Sequence, residues 1–587
     1  MRRSAYLAWR LALLLAAVAS VAYMLPACAT GALPAVDGVT IAGASPRYVQ
    51  VGETRTLSAV VAARGGADEA VVWLSSDEDR AIVGVDGAVL GVAPGEVVVM
   101  AVSAFDATKF ASAVLEVTPT ATVTAATEGT YLTVVEMRIG APDATGLGTR
   151  AIGLDLGWDE SWRGPDRPSW VDADNNWDAV WLFAKFRVGD GPWRHVTLAP
   201  AGHAASAGVV VEVPADGKGA FVHRAAVGYG AFSADGLRLV WTYEADGVGP
   251  ADALDVRLFG VEMVFVPAGA FSLGTGGSEA CGFRAGASPD PFLVAGPGPI
   301  ALGDDAGGVS WATDGCNGGL PEGVTGPAHP TGFAAFYLMK HELSQGLYAG
   351  FLNALTQPQA DLNRPNEELG AYRFGLTGSE VGAYASVRPH VAMTRLSWAS
   401  AAAFADWSGL RPMSELEFEK AARGPLEPVP NAFAWGTTTA IPATGLVDAD
   451  TAHEAPTPEE ANANIAFGVG APLRVGAFAA PAREREAAGA GHYGALDLSG
   501  NMHEYAVSVG TAEGRAFTGA HGDGSLDASG HADAADWPDA GGAGAGLRGG
   551  AFTSPDSAAR VSDRFVAAVI VSPPHPFFGA RFARTAP

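Results

Sequence analysis

The chain has 587 residues, enough for three or four domains that each bury a core, which argues against a single compact fold. Its 63 acidic residues outweigh 37 basic ones for a net charge of −26, which excludes a DNA or RNA backbone as partner because nothing would neutralise the phosphates. With 17% charged and 48% hydrophobic residues, 76 glycines and 38 prolines, the balance suits turn-rich, β-dominated, extracytoplasmic modules better than long helices or disordered chain.

The first predicted element is a secretory signal over 1–28. Met1-Arg2-Arg3 and Arg10 supply the positive start, and Leu11 to Met24 is an apolar stretch too short to span a bilayer. Leu25-Pro26-Ala27-Cys28 resembles a bacterial lipobox, in which Cys28 becomes a lipidated first residue that holds the protein on the cell surface or outer membrane. Ala27-Cys28-Ala29 also fits the small-x-small pattern of ordinary cleavage, so lipid anchoring and free secretion both stand. No later stretch has the roughly 18 consecutive apolar residues that a spanning helix needs.

Short β-type runs follow at Arg55 to Val61, Ala70 to Leu74, Val97 to Val102 and Ala113 to Val117, and their spacing predicts a β-sandwich over 35–119. Val51-Gly52-Glu53, Val72-Trp73-Leu74-Ser75-Ser76-Asp77, Val85-Asp86-Gly87-Ala88-Val89 and Ala93-Pro94-Gly95-Glu96 resemble, in order, the bacterial immunoglobulin-like group 2 domain. That resemblance implies a spacer or adhesion module in which Trp73 packs in the core and the glycines make turns.

Thr118-Pro119-Thr120 is a linker to a second β-rich region, 121–258, which holds Trp158, Trp162, Trp170, Trp177, Trp181 and Trp193. Alternation from Trp177 to Phe186 predicts a core strand in preference to a sugar-stacking platform. Asp172 to Asp178 sets oxygen ligands at every second position, yet Trp177 and Phe183 stand where an EF-hand loop requires Gly and Glu, so the segment reads as a polar turn before the strand, with a cation site of another kind as the alternative.

In the last region, 259–587, Val261 to Gly274 predicts a strand, a Pro-Gly turn and another strand. Cys281 and Cys316, in an oxidising compartment, read as a disulfide worth about 3–4 kcal/mol by loop closure, with two unpaired thiols as the alternative. Ser344 is placed to cap a helix carrying Leu347, Tyr348, Phe351 and Leu352 on one face, and Ser397 another carrying Trp398, Ala402 and Ala405. Ser414 with Glu417 forms a capping box for a helix from Glu415 to Arg423. Hydrolase, zinc-protease and phosphate-loop motifs are missing, and His341, His390, His492, His503 and His575 are scattered as core or surface histidines are.

Further segments carry a second resemblance: Lys340-His341-Glu342-Leu343-Ser344, Arg388-Pro389, Trp407 to Gly424, Tyr493 to Tyr505 with its Gly500-Asn501-Met502-His503-Glu504, Leu547-Arg548-Gly549-Gly550-Ala551-Phe552, and Phe578-Gly579-Ala580-Arg581-Phe582. In this order they resemble the sulfatase-modifying factor family, that of the formylglycine-generating enzymes. The resemblance implies an elaborated, α+β C-type-lectin-like fold, so the expected fold class is multidomain, with immunoglobulin-like β-sandwich modules followed by that head.

Catalytic members of the family bind copper through two cysteines after the Arg-Gly-Gly motif. Counted from Arg548, those positions fall near Ser554 and Ala559, and no cysteine follows Cys316, so copper is not expected and neither is aerobic oxidation of a sulfatase cysteine. The family also implies structural Ca2+ on Asn501 and Glu504, and on Asn464 with the carbonyl of Ile465; the alternative is that Asn501 and Glu504 brace a tight turn. Some members display ligand-binding residues on the terminal segment, which here offers Phe552, Ser554, Asp563, Phe565, His575 and Phe577. The leading expectation is therefore a stalk-and-head binding protein for a carbohydrate or protein ligand at the bacterial surface. A formylglycine-generating-type or divergent enzyme, and a purely structural cell-wall protein, are the alternatives.

Overall fold

The computed structural model describes residues 33–42, 48–127, 132–142, 147–570 and 573–587; the expected signal and Cys28 lie outside them. The chain is multidomain and mostly β. Strands between Ala35 and Thr118 form three small sheets around Val36, Leu57, Trp73, Val89, Val97 and Leu115. Trp73 shows why a glycine stands in the Asp86-Gly87 turn. Gly87 has φ +82°, and a Cβ there would lie 2.2 Å from the Leu57 carbonyl oxygen and 3.0 Å from the indole.

The strand after the linker, Thr122–Thr127, does not open a separate domain. It runs parallel to Leu254–Val266, pairing Thr122 with Asp255 through Thr127 with Gly260. The same long strand pairs antiparallel with Asp178–Val188 along its length and, at its far end, with Phe336–Met339. One sheet therefore crosses the boundary expected between 258 and 259, in the order Val209–Glu212, Ala220–Arg224, Asp178–Val188, Leu254–Val266, Phe336–Met339, Phe582–Thr585 and Arg411–Pro412. A boundary at that point would cut a strand in half, so the last two expected regions form one continuous body.

Asp178–Val188 is buried on both faces. Val180, Leu182, Ala184 and Phe186 face a three-stranded sheet of Thr133–Ile139, Arg150–Arg163 and Gly228–Trp241, sharing its core with Leu154, Leu156, Trp158 and Trp241. Ala179, Trp181 and Phe183 face the other way, into a core with Phe259, Met263, Leu347, Phe351 and Trp407. Trp158, Trp162, Trp170 and Trp181 are all buried, as core packing requires. The polar turn before the strand also holds the two halves together. Asn176 donates to the Tyr493 carbonyl at 2.6 Å, Asp172 accepts from Arg485 at 2.8 Å, and Asp178 accepts from the Trp158 and Trp162 backbone or ring N–H groups and from Ser161 at 2.9–3.0 Å.

The helices fall where their caps place them. Gln345–Leu352 starts at Ser344, whose hydroxyl accepts from Leu347 N, and Trp398–Trp407 starts at Ser397, which accepts from Ser400 N. Glu415–Arg423 has both halves of the Ser414/Glu417 capping box. Every residue of this last helix is buried, charged ones included. Arg411 pairs with Glu417 at 2.6 Å, Arg423 with Glu419 at 2.8 Å, Arg564 with Glu415 at 2.7 Å, and Arg548 bridges Glu415 and Glu419 at 2.9 and 3.0 Å. No helix of the described residues is long and apolar enough to cross a membrane.

Candidate functional site

The terminal segment is positioned by this buried ionic cluster. Strand Ala545–Arg548 pairs antiparallel with His503–Val507, setting Arg548 opposite Glu504, and the side chain of Arg548 then turns back to the helix carboxylates. Gly549 and Gly550 follow at φ +85° and +71°, a conformation that side chains resist. A Cβ on Gly550 would lie 2.8 Å from Ala559 Cα, because the 3-10 turn Asp556–Ala559 folds back beneath it. Arg564 then salts onto Glu415 and donates to the Cys281 carbonyl at 3.2 Å. Cys281 and Cys316 are joined in a disulfide with a Cα separation of 6.0 Å, and Asn317 donates to the Phe565 carbonyl at 3.0 Å, so the cystine loop docks on the terminal segment.

Phe552 and Ser554, two of the six residues expected to be displayed, are instead buried. Phe552 is held by backbone bonds on both sides, donating to the Asn501 carbonyl at 2.9 Å and accepting from Phe467 N at 2.8 Å. The Ser554 hydroxyl accepts from Ala551 N at 3.0 Å and lies 3.4 Å from Nε2 of His503, whose imidazole desolvation pushes down to about 4. Asp563 is half-buried, its carboxyl raised by desolvation, and accepts from Phe565 N at 3.2 Å. Phe565 and His575 are exposed and Phe577 half-exposed.

The exposed residues are not all in one place. His575 stacks on Phe577 with centroids 4.8 Å apart, and Phe577 meets Phe578 at 5.2 Å and Phe552 at 6.5 Å. Tyr372, 45% exposed, approaches the other side of Phe552 at 6.0 Å. Phe467, 64% exposed, enters through the backbone bond to Phe552. Tyr372 and Phe577, the latter with His575 stacked on it, therefore form an aromatic surface over a buried Phe552, which exposed Phe467 joins through its backbone, whereas Phe565 stands apart beside the cystine loop. The sequence reading missed Tyr372 and Phe467. Both have φ in the left-handed region, +46° and +58°, as do Arg373 and Ala466 beside them, a strain of about 1–3 kcal/mol per residue that gathers at working surfaces. Only their place outside any periodic element could have marked them.

Asn501, also left-handed at φ +61°, is a brace. Its Oδ1 accepts from Asn464 Nδ2 at 2.9 Å and Leu473 N at 2.8 Å, and its amide donates to Glu342. Glu504 is clamped by Arg581 through Nε at 2.8 Å and Nη2 at 2.6 Å. The carbonyl of Ile465 accepts from Gly468 N at 3.1 Å.

The sequence profile of the sulfatase-modifying factor enzyme 1-like domain matches residues 256–586, more than half of the chain. The chain belongs to that family. The profile of the bacterial Ig-like domain, group 2, matches residues 35–114 ahead of it. Among solved structures the chain is similar to Treponema denticola variable protein 1, at 15% identity and a TM-score of 0.26, over 56% of this chain and 96% of that one. No curated protein matches.

Membership in the sulfatase-modifying factor family raises two metals, and the donors decide both. Near the positions expected for the copper cysteines stand Ser554, whose hydroxyl already accepts a backbone N–H, and Ala559, a fully buried methyl, neither of which is a soft ligand for Cu(I). For Ca2+, which takes six to eight oxygens, Asn501 Oδ1 is used by two N–H donors and Glu504 Oε1 by a guanidinium. Of the side-chain oxygens on these expected ligands, Asn464 Oδ1 and Glu504 Oε2 are buried without a hydrogen-bond partner. One open oxygen at each expected site, with the cation Arg581 already on Glu504, does not fit a calcium shell; these four residues lock the turns beneath the aromatic surface.

Proposed function

We propose that this sulfatase-modifying-factor-like chain is an extracytoplasmic binding protein whose head has given up copper chemistry and holds a surface ligand on the aromatic patch of Tyr372, Phe467, Phe577 and His575. The observation that carries the reading is the pairing of two facts at one place. The positions expected for the copper cysteines fall near Ser554 and Ala559, and close to Ser554, by way of His503, lie exposed rings, two of them on left-handed backbone. Exposed aromatic faces stack on sugar rings and on apolar side chains at little entropic cost, so a carbohydrate or protein ligand suits the patch. The immunoglobulin-like module serves as spacer, and the expected signal, whether it ends in lipidation of Cys28 or in free secretion, delivers the head to the outside.

Two measurements on the full chain test this. Incubation with Cu(I), oxygen and a Cys-x-Pro-x-Arg peptide is expected to give no aldehyde by mass spectrometry, and copper-dependent conversion would overturn the reading. On a glycan and peptide array, binding is expected to fall by about tenfold or more in the Tyr372→Ala/Phe577→Ala variant, with the circular-dichroism melt lowered by only a few degrees. Equal binding by that variant would move the ligand site elsewhere.

A further inference from the structure

Away from the aromatic patch, the long strand Asp178–Val188 carries a residue that its surroundings do not explain. Lys185 is buried, on the face that otherwise holds Ala179, Trp181 and Phe183. Its ammonium donates to the Trp407 carbonyl at 2.5 Å and the Gly524 carbonyl at 2.6 Å, and stands 4.6 Å from the Trp407 ring centroid. Desolvation, with Lys218 adding to it, pushes the Lys185 pKa well below that of a free lysine, so its charged form needs a counter-charge close by. Among the described residues no carboxylate forms an ion pair with it, and Asp406 and Asp523 act on it only from a distance. A buried charge is normally paired.

Lys185 lines a cavity of about 290 Å³ between this strand and the Gly524 to Leu526 loop. Arg194 and Lys218 line it too, in a chain with far more acids than bases. Its single acid is Asp246, whose Oδ2 accepts from Thr197 N at 2.8 Å and the Trp241 ring N–H at 2.6 Å and which makes no ion pair with Lys185. His195, the cross-strand partner of Lys185, lies with Nε2 2.7 Å from the Lys218 carbonyl, and burial keeps it neutral, so it offsets none of the charge. The remaining walls are apolar: Trp193, Trp407, Phe186 and Leu355. Gly524 closes the cavity, and a Cβ there would lie 2.2 Å from His195 Nδ1, so no other residue brings its carbonyl to Lys185.

We infer that this cavity binds a small organic acid, its carboxylate neutralising Lys185 with help from Lys218 and Arg194 and its apolar body between Trp193 and Trp407. The site is independent of the aromatic patch.

The test is titration calorimetry of the full chain with benzoate, with benzamide as the neutral isostere and inorganic phosphate as an anion without an apolar body. Benzoate is expected to bind, and benzamide and phosphate to bind about tenfold more weakly or worse. Lys185→Met is expected to lose benzoate binding by about tenfold or more while melting no lower than the parent, since it removes an unpaired charge and keeps the packing. Ser525→Trp, at the exposed mouth, is expected to block binding with Lys185 in place, and it keeps the question open to measurement if Lys185→Met does not fold. Absence of benzoate binding, equal affinity for benzamide, tighter binding of phosphate, or unchanged binding in the Ser525→Trp variant would each overturn the inference.

Discussion

Phe552 and Phe577 are 25 positions apart in a segment of mixed composition, and nothing in their identity separates them. Their backbone partners do. Phe552 is locked by Asn501 and Phe467 and fully buried, so Phe552→Ala leaves a cavity and is expected to cost about 3–5 kcal/mol in a denaturant melt. Phe577 presents part of its ring to solvent, and Phe577→Ala is expected to cost about 1 kcal/mol while removing ligand binding. If the two variants lose the same stability, the patch is core and not surface. The terminal segment was legible as a whole because its motifs frame it, but which of its side chains point outward depends on Gly549 and Gly550, whose left-handed turn reverses the faces. Tyr372 and Phe467 come from loops far along the chain, and no local pattern announces that they meet Phe552.

The helix Glu415–Arg423 was legible to its first and last residue, because a serine and a glutamate three positions apart satisfy the first N–H groups. Its surroundings were not. Charged residues of its kind ordinarily face water, and here all are enclosed, with Arg411, Arg548 and Arg564 arriving from three separate places in the chain. Removing Arg548 leaves buried Glu415 with Arg564 alone and buried Glu419 with Arg423 alone, each with carboxylate oxygens short of a partner. Arg548→Met is accordingly expected to destabilise by about 3–5 kcal/mol, measured by chemical denaturation. A loss below about 1 kcal/mol would mean that water or a rearranged Arg564 takes over. The same cluster explains the Arg-Gly-Gly motif without catalysis: the arginine pins the strand, and the glycines let the chain turn over Ala559.

Over the whole chain, the immunoglobulin-like module was legible from its own turns, whereas the boundary at 258/259 was not. Leu254–Val266 reads as one apolar run whichever domain owns it, and its partner Thr122–Thr127 is more than a hundred residues upstream. A fragment beginning at 259 lacks the start of its central strand, the strand Asp178–Val188 that pairs with it and the core on one face of that strand, so it is expected to be insoluble or molten. A fragment of 119–587 is expected to fold with the native melt of the head, and analytical gel filtration with circular dichroism separates the cases. Acid acts on the folded body as well. Burial pushes His329, His492 and His503 down to about 4, against about 6.5 in an unfolded chain, so the stability they contribute is complete above pH 6.5 and is lost as pH falls towards 4. Asp178 and Asp406, raised to about 6 by desolvation, work in the opposite sense over the lower part of that window. A melting temperature that falls from pH 6.5 to 4, less steeply in His329→Phe, is the expected profile.

The parallel pairing of Thr122–Thr127 with Leu254–Val266 also fixes how the molecule bears a pull. Tension entering at Pro119 runs along the first of these strands, in line with its neighbour, and so loads the bonds from Thr122 to Thr127 in shear. Bonds loaded side by side must yield together, unlike those of a peeled hairpin, which give way singly. The body that opens at Thr122 is thereby joined to the immunoglobulin-like module by the fastening least easily unzipped.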